Sequence, residues 1–309
     1  MPSSSHTSKK RKDFSAPPAK FILLCTLPAA ILTIYFTLIP TFRALVLSFT
    51  NATSLAINYR YIGFENYTYM LGDKDFLQAL ANTLKLMIGV PVVTIALSVL
   101  LACILTQIKL KEKPLYRTLY FFPSIVSMTV VGIVWSFVFH PTMGILNSAL
   151  TAIGVPVENF SWLNNASTAL WCIALTLVWQ AVGYYMIMHI AAMDGISAEI
   201  YEAATIDGAS PFRQLISITI PLIKDIIGIT FVLSLSGTIN LSYVLVQIMT
   251  GGGNPNGASS VLLGYVYKQG MVNGNFGYAM AVTVFTLAIS IGFSVISRRI
   301  SGSEGGKAK

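Results

Sequence analysis

The sequence predicts an all-α polytopic membrane protein with six transmembrane helices, and three observations carry that prediction. Only 10% of the 309 residues are charged, against 54% hydrophobic, where a soluble domain carries about 25% charged residues. Six stretches without Asp, Glu, Lys or Arg (21–42, 86–108, 118–139, 166–188, 226–249 and 276–297) each reach the ~20 residues a helix needs to cross a bilayer. The 20 basic residues sort unevenly between the connecting segments: with the N-terminus inside, 15 fall on one side and five (Arg43, Arg60, Lys74, Lys85, Lys268) on the other. Such an excess marks the cytoplasmic side, so both termini are expected there.

Residues 1–20 are rich in Ser, Lys and Pro and are expected to be a disordered, basic cytoplasmic segment. Lys9-Lys10-Arg11-Lys12 could be read as a nucleic-acid patch, but before an apolar run it reads as an orienting flank, and no nucleic-acid partner is expected despite the net charge of +8. The first run is too long for a signal-peptide core and ends without an Ala-x-Ala site, so it reads as a retained anchor. The next outer segment carries Tyr59, Tyr61, Phe64, Tyr67 and Tyr69, aromatics suited to a membrane interface. Cys25, Cys103 and Cys172 fall inside apolar runs and read as small buried hydrophobes, with neither metal spacing nor a disulfide pattern. His140 and His189 read as structural polar residues. The glycines of Thr250-Gly251-Gly252-Gly253-Asn254-Pro255 lack the Gly-Lys-Ser/Thr ending of a phosphate loop and read as a flexible outer loop.

Between the fourth and fifth runs lies a polar island. Four of the chain's 12 acidic residues, Asp194, Glu199, Glu202 and Asp207, fall within 14 positions there. Its grammar is that of two short helices: Ser197 as an N-cap, Glu199 and Glu202 near a positive helix end, Gly208 as a left-handed stop, then Ser210-Pro211 as N-cap and first residue. Ile200, Ala203 and Ala204 share one small, flat face, expected to be a docking surface.

The pattern Glu202-Ala203-Ala204, Gly208 and Ile218-Thr219-Ile220-Pro221 resembles the Glu-Ala-Ala loop of permease subunits in bacterial ATP-binding cassette importers. Isoleucine at 220, where the family usually has leucine, is a small departure. Ile62-Gly63-Phe64-Glu65-Asn66-Tyr67, Phe121-Phe122-Pro123, Gly144-Ile145-Leu146-Asn147, the Thr-Gly-Gly-Gly loop (with Asn254 inserted before the proline) and Phe276-Gly277-Tyr278-Ala279 resemble the maltose-type, carbohydrate-uptake branch. They occur in the right order over residues 21–297. The resemblance implies a type I importer permease fold: a domain over 21–297 that includes a coupling loop over 194–225, and a cytoplasmic tail over 298–309. It also implies a second permease subunit forming a heterodimer, two cytoplasmic ATPase subunits, an extracytoplasmic solute-binding protein, and alternating access of a midplane cavity to a sugar, an oligosaccharide by class. Glu199, Glu202, Ala203, Ala204, Asp207, Gly208 and Arg213 would couple the chain to the ATPase.

The chain itself shows no catalytic motif, no Walker A sequence and no metal-ligand or cofactor pattern, so it is not expected to be an enzyme. No ionisable Asp, Glu, Lys or Arg lies inside the six runs, although an ion-coupled carrier usually needs one. A secondary carrier or channel for a small polar solute is the alternative reading. Polar positions inside the runs remain: Ser236, Asn240, Tyr243 and Gln247 at helical spacing in the fifth, and Gln180 and Tyr184 in the fourth. They either glue helices together or line the path of a sugar, and the resemblance favours the path.

Overall fold

Lipid offers the backbone no hydrogen-bond partners, so apolar runs of this length fold as helices. The structure, a computed structural model, describes residues 19–53, 59–107 and 112–302. It divides into two units, 1–46 and 47–309. The described part of the first is one helical rod: α1 (Ala19–Thr33), a π turn (Ile34–Leu38) and α2 (Ile39–Leu47). Cys25 on this rod is exposed, contrary to expectation, while Cys103 and Cys172 are buried; a single helix has nothing of its own unit to bury a side chain against. The expected disordered segment over 1–20 lies, up to residue 18, outside the described residues, as do Ile108, Lys109 and Lys111 and the tail from 303.

The second unit begins with α3 (Glu65–Gly72) and the long α4 (Lys74–Gln107), followed by α5 (Lys113–Ile125), α6 (Met128–Val138) and α7 (Ile145–Ala152). Then come α8 (Ala169–Asp194), α9 (Ala198–Ile206), α10 (Pro211–Gln214) and α11 (Ile220–Leu222), with a π turn over Leu215–Thr219 before α11. The chain closes with α12 (Lys224–Met249), α13 (Leu262–Tyr267) and α14 (Phe276–Gly302). Among the described residues there is no strand, only an isolated bridge between Thr50 and Tyr61. Among the described residues five helices are long and apolar enough to span a membrane, and one bent pair passes the same test when its two helices are taken together.

That bent pair corrects the sequence reading. Residues 118–139 are expected to form one membrane-spanning helix, but the segment is broken into α5 and α6, which meet at 100°. Val126 and Ser127 adopt extended ψ values of 137° and 134° between them. Three residues before Val126 stands Pro123, which donates no amide bond and weakens the last turn of α5. The bent segment is held at a close crossing: a Cβ on Gly183 of α8 would sit 1.8 Å from the Tyr120 carbonyl oxygen. Only glycine lets α5 come so near. The expected sixth span is also longer than its apolar run, since α14 continues past Ser297 to Gly302.

Helices α4, α8 and α12 form the centre. Leu86, Val90, Ile173, Leu177, Leu245 and Val246 are buried together in one cluster, and Ile95, Val99, Met186 and Ile190 in a second. Polar groups are stitched into this packing. His189, fully buried, contacts Ser98 Oγ through Nδ1 (3.1 Å) and Thr230 Oγ1 through Nε2 (3.0 Å), so one ring joins all three helices. His140 Nδ1 accepts the amide of Met143 (3.2 Å). Both histidines are structural, as expected.

Candidate functional site

The polar island folds into α9 and α10 at the end of the bundle where α4 and α8 finish. Gly208, with φ +77°, closes α9 in the left-handed conformation. The Ala209 amide donates to Ala204 O (2.9 Å) and the Gly208 amide to Thr205 O (3.1 Å), the paired bonds of a Schellman stop. Ser210 caps α10, its Oγ accepting from the Arg213 amide (3.3 Å), and Pro211 takes the first helical position. Ser197 has N-cap backbone geometry, but its side chain makes no capping bond. That part of the expectation fails.

Side chains clamp the two short helices to each other. Tyr201 Oη pairs with Thr219 Oγ1 (2.9 Å), and Gln214 Nε2 donates to Thr205 Oγ1 (3.0 Å) and to Ala209 O (3.2 Å). Arg117 at the start of α5 reaches Asp194, where the loop leaves α8, at 3.6 Å. This pair ties the start of α5 to the end of α8.

Ile200 and Ala203 are exposed and Ala204 half-buried, as a docking face requires. Glu202 does not share that face. With Ala198, Tyr201 and Thr205 it lines a cavity of about 880 Å³ between the loop and the bundle, closed by Cys103 and Thr106 of α4 and Met193 of α8. At 100° per residue Glu202 falls on the flank between the two faces. Glu199, Asp207 and Arg213 are exposed, and none of these four charges has an ion-pair partner among the described residues. Two apolar residues escaped the sequence reading: Ile206 is 86% exposed and Phe212 73%. An isoleucine next to Asp207 in a polar island was the signal available.

The polar positions of α12 divide between its two sides. Thr230, Ser234, Thr238 and Ser242 recur every four residues and are buried against the bundle. Most back-bond to their own helix, as Thr238 Oγ1 does to Ser234 O (2.8 Å). Ser236, Asn240, Tyr243 and Gln247 form the opposite side. Ser236 and Asn240 are exposed, and Asn240 Nδ2 donates to Ser236 O at 3.2 Å. Tyr243 and Gln247 are half-covered by α13: the Tyr243 ring lies 6.2 Å from Tyr267, and Gln247 packs beside Gly252 and Gly264. On α8, Tyr184 is exposed and Gln180 half-buried. Among the described residues, no hydrogen bond or ring contact joins these two to the α12 set.

The opposite end of the bundle carries a cluster that the sequence did not reveal. Asp73 Oδ2 accepts from the hydroxyls of Tyr265 and Tyr278 (2.7 Å for Tyr278), and Gln269 Nε2 donates to Tyr265 Oη (2.7 Å). Burial pushes the Asp73 carboxyl up, but the two hydroxyls and the amides of Phe76 and Asp75 outweigh it and leave it below the ordinary carboxylate value. Asn82 Nδ2 donates to the carbonyls of Ala258 (2.8 Å) and Ser260 (3.0 Å), and Ser259 Oγ to Thr250 Oγ1 (2.9 Å). The glycine loop expected to be flexible is thus tied down, its turns made by positive φ at Gly251, Gly252 and Gly253.

In the second unit, four long apolar helices and one bent pair, with a two-helix loop at one end, form the fold of the membrane subunit of a type I importer. The family model for the binding-protein-dependent transport system inner membrane component matches residues 113–302, and the chain belongs to that family. It is 33% identical to the diacetylchitobiose uptake system permease protein of Streptomyces coelicolor, over 92% of this chain and 84% of that one. The arabinooligosaccharides transport system permease protein of Bacillus subtilis is 29% identical over 92% of this chain and 89% of its own. Among solved structures, a bacterial alginate transporter in complex with its alginate pentasaccharide-bound periplasmic protein superposes with a TM-score of 0.80 at 20% identity, covering 91% of this chain and 94% of that one. That likeness bears on the fold.

Proposed function

We propose that the chain is the translocation subunit for a sugar, an oligosaccharide by class, delivered by an extracytoplasmic solute-binding protein. The observation that carries this reading is the unspent polar side of α12. Its opposite face already satisfies the packing of the bundle, so Ser236 and Asn240 are free of that duty. Gln180, Tyr184, Tyr243 and Gln247 extend the set with amides and phenol rings, the groups that bond sugar hydroxyls and stack on apolar sugar faces. None is charged, which suits a neutral solute. The names of the two relatives support the same class.

A second permease subunit would face this chain in a heterodimer, and two ATPase subunits would dock on α9 and α10 from the cytoplasm. Glu199, Ala203, Ala204 and Asp207 would meet the ATPase surface, Glu202 would pair with a basic group entering the cavity beside it, and Gly208 and Arg213 would set the angle of the two helices. Both termini would lie in the cytoplasm. The reading is tested with Asn240→Ala and Tyr184→Ala in the assembled complex. Sugar uptake should fall while basal ATP hydrolysis persists; loss of assembly instead would make these residues heterodimer contacts and move the path elsewhere.

A further inference from the structure

At the end of the bundle opposite the coupling loop, a groove of about 370 Å³ opens between α4, the start of α8 and the glycine loop. Lys85 and Gln78 of α4 line it, with Ser167 just before α8, Trp171 in the first turn of α8 and Asn256 from the loop. None of the proposed sugar-path residues is among its walls. Asn82 also lines it, but its amide is spent on holding the loop in place, so the groove is built into the fold. Its walls carry one cation and no acidic residue. Lys85 is exposed, with no ion-pair partner among the described residues.

What lies below the groove decides the class of ligand. From Lys85, α4 continues with Ile88 and Val92, 49% and 51% exposed, at spacings that keep them on the lysine's side. From Trp171, itself 62% exposed, α8 continues with Leu175 and Trp179, 51% and 40% exposed, at every fourth position. Both helices run from the groove toward the coupling end, so two apolar stripes descend from one cationic, hydrogen-bonding pocket. A free sugar or phosphate would use the pocket and leave the stripes idle. A lipid uses both, and lysine with tryptophan where polar surface meets apolar helix is the usual composition of a membrane interface.

We propose that this groove binds an anionic phospholipid, its headgroup phosphate on Lys85 with the Gln78, Ser167 and Asn256 donors around it, and its acyl chains along the two stripes. The test is native mass spectrometry of the assembled complex, titrated with phosphatidylglycerol or with phosphatidylcholine of the same acyl chains. The wild-type complex should retain phosphatidylglycerol preferentially. Lys85→Gln should cut that retention about fivefold, the contribution of one lysine near an anionic lipid, and Lys85→Arg should restore it. Trp171→Ala should weaken retention of both lipids, because it removes apolar wall rather than charge. Equal retention of the two lipids by wild type, or unchanged phosphatidylglycerol retention in Lys85→Gln, would overturn the proposal. So would a photocrosslinker at position 171 that captures the second permease subunit, since a protein would then cover the stripes.

Discussion

The two ends of this bundle differ in how their central polar groups are used. At the end that holds Asp73, they are spent on each other: a carboxylate on two tyrosines, Asn82 on two carbonyls, and Asn147 on the carbonyls of Pro141 (2.8 Å) and Phe160 (3.0 Å) while accepting from Trp162 Nε1 (2.5 Å). At the coupling end, the neutral groups Tyr201, Thr205, Gln214 and Thr219 are spent in the same way and Arg117 pairs with Asp194 at 3.6 Å, but the charges of the loop itself are not. Glu199, Glu202, Asp207 and Arg213 stand open beside two exposed apolar side chains and a large cavity. The network around Asp73 holds its own chain together, and the open charges of α9 and α10 are the groups the proposed ATPase contact would use. Substitutions at the first should therefore cost stability, and at the second coupling.

The largest expected effect belongs to neither end but to the crossing that links them. Gly183→Val would drive a side chain into the Tyr120 carbonyl, and backbone cannot swing aside as a flexible side chain does. The cost should exceed about 3 kcal/mol, read as loss of folded protein from detergent extracts. Survival of this variant with a wild-type melting temperature would mean that α5 does not cross α8 there. Gly277→Val should behave similarly, since its Cβ would lie 2.0 Å from the Thr50 carbonyl oxygen.

Next in size is Asp73→Ala, which takes the acceptor from two buried tyrosine hydroxyls and should cost about 1–3 kcal/mol in thermal unfolding. Its pH dependence has a defined sign. The folded-state pKa lies below the unfolded one, so the stabilisation is complete above the unfolded value of about 3.9 and is lost as pH falls through the lower folded value. Asp73→Asn should flatten the stability profile in that acid range and leave it unchanged near neutrality apart from a constant offset. An unaltered acid limb would remove Asp73 from the account.

A smaller effect, on geometry rather than energy, concerns sidedness. Single cysteines at Glu158 and Ser210, in a chain lacking its three native cysteines, should react with impermeant thiol reagents from opposite sides of the membrane. Position 158 should label in intact cells and position 210 only after permeabilisation. Labelling of position 210 from outside would invert the assignment of the coupling end.

How much of this was legible in advance follows from the range of each interaction. Gly208 and Ser210-Pro211 were readable because their bonds close within five residues, and the spans because length and apolarity are local properties. The bend of the third span was not readable: Pro123 is visible, but the close crossing that fixes α5 depends on Gly183, 60 residues away. The Asp73 cluster pairs residues 192 and 205 positions apart, and nothing in the local pattern marks such a pair. Periodicity correctly grouped Ser236, Asn240, Tyr243 and Gln247 on one face, yet could not say which were covered. Tertiary contact with α13 decides that. On α9 periodicity found the small face but could not place Glu202, because the cavity that receives it is walled by α4 and α8.

The central claim is that α9 and α10 form an interface for an ATPase rather than a spacer. It is tested most directly by Glu202→Ala and Phe212→Ser in complexes reconstituted into proteoliposomes, with ATP hydrolysis measured with and without the loaded solute-binding protein. Both side chains are open to solvent and outside the packed core, so thermal unfolding of the chain should shift by less than about 0.5 kcal/mol equivalent. Stimulation of ATP hydrolysis should be lost or strongly reduced. A charge left unpaired at a desolvated interface costs about 2–5 kcal/mol, enough to weaken ATPase retention by tenfold or more. Normal stimulation in both variants, with normal sugar uptake, would contradict the account.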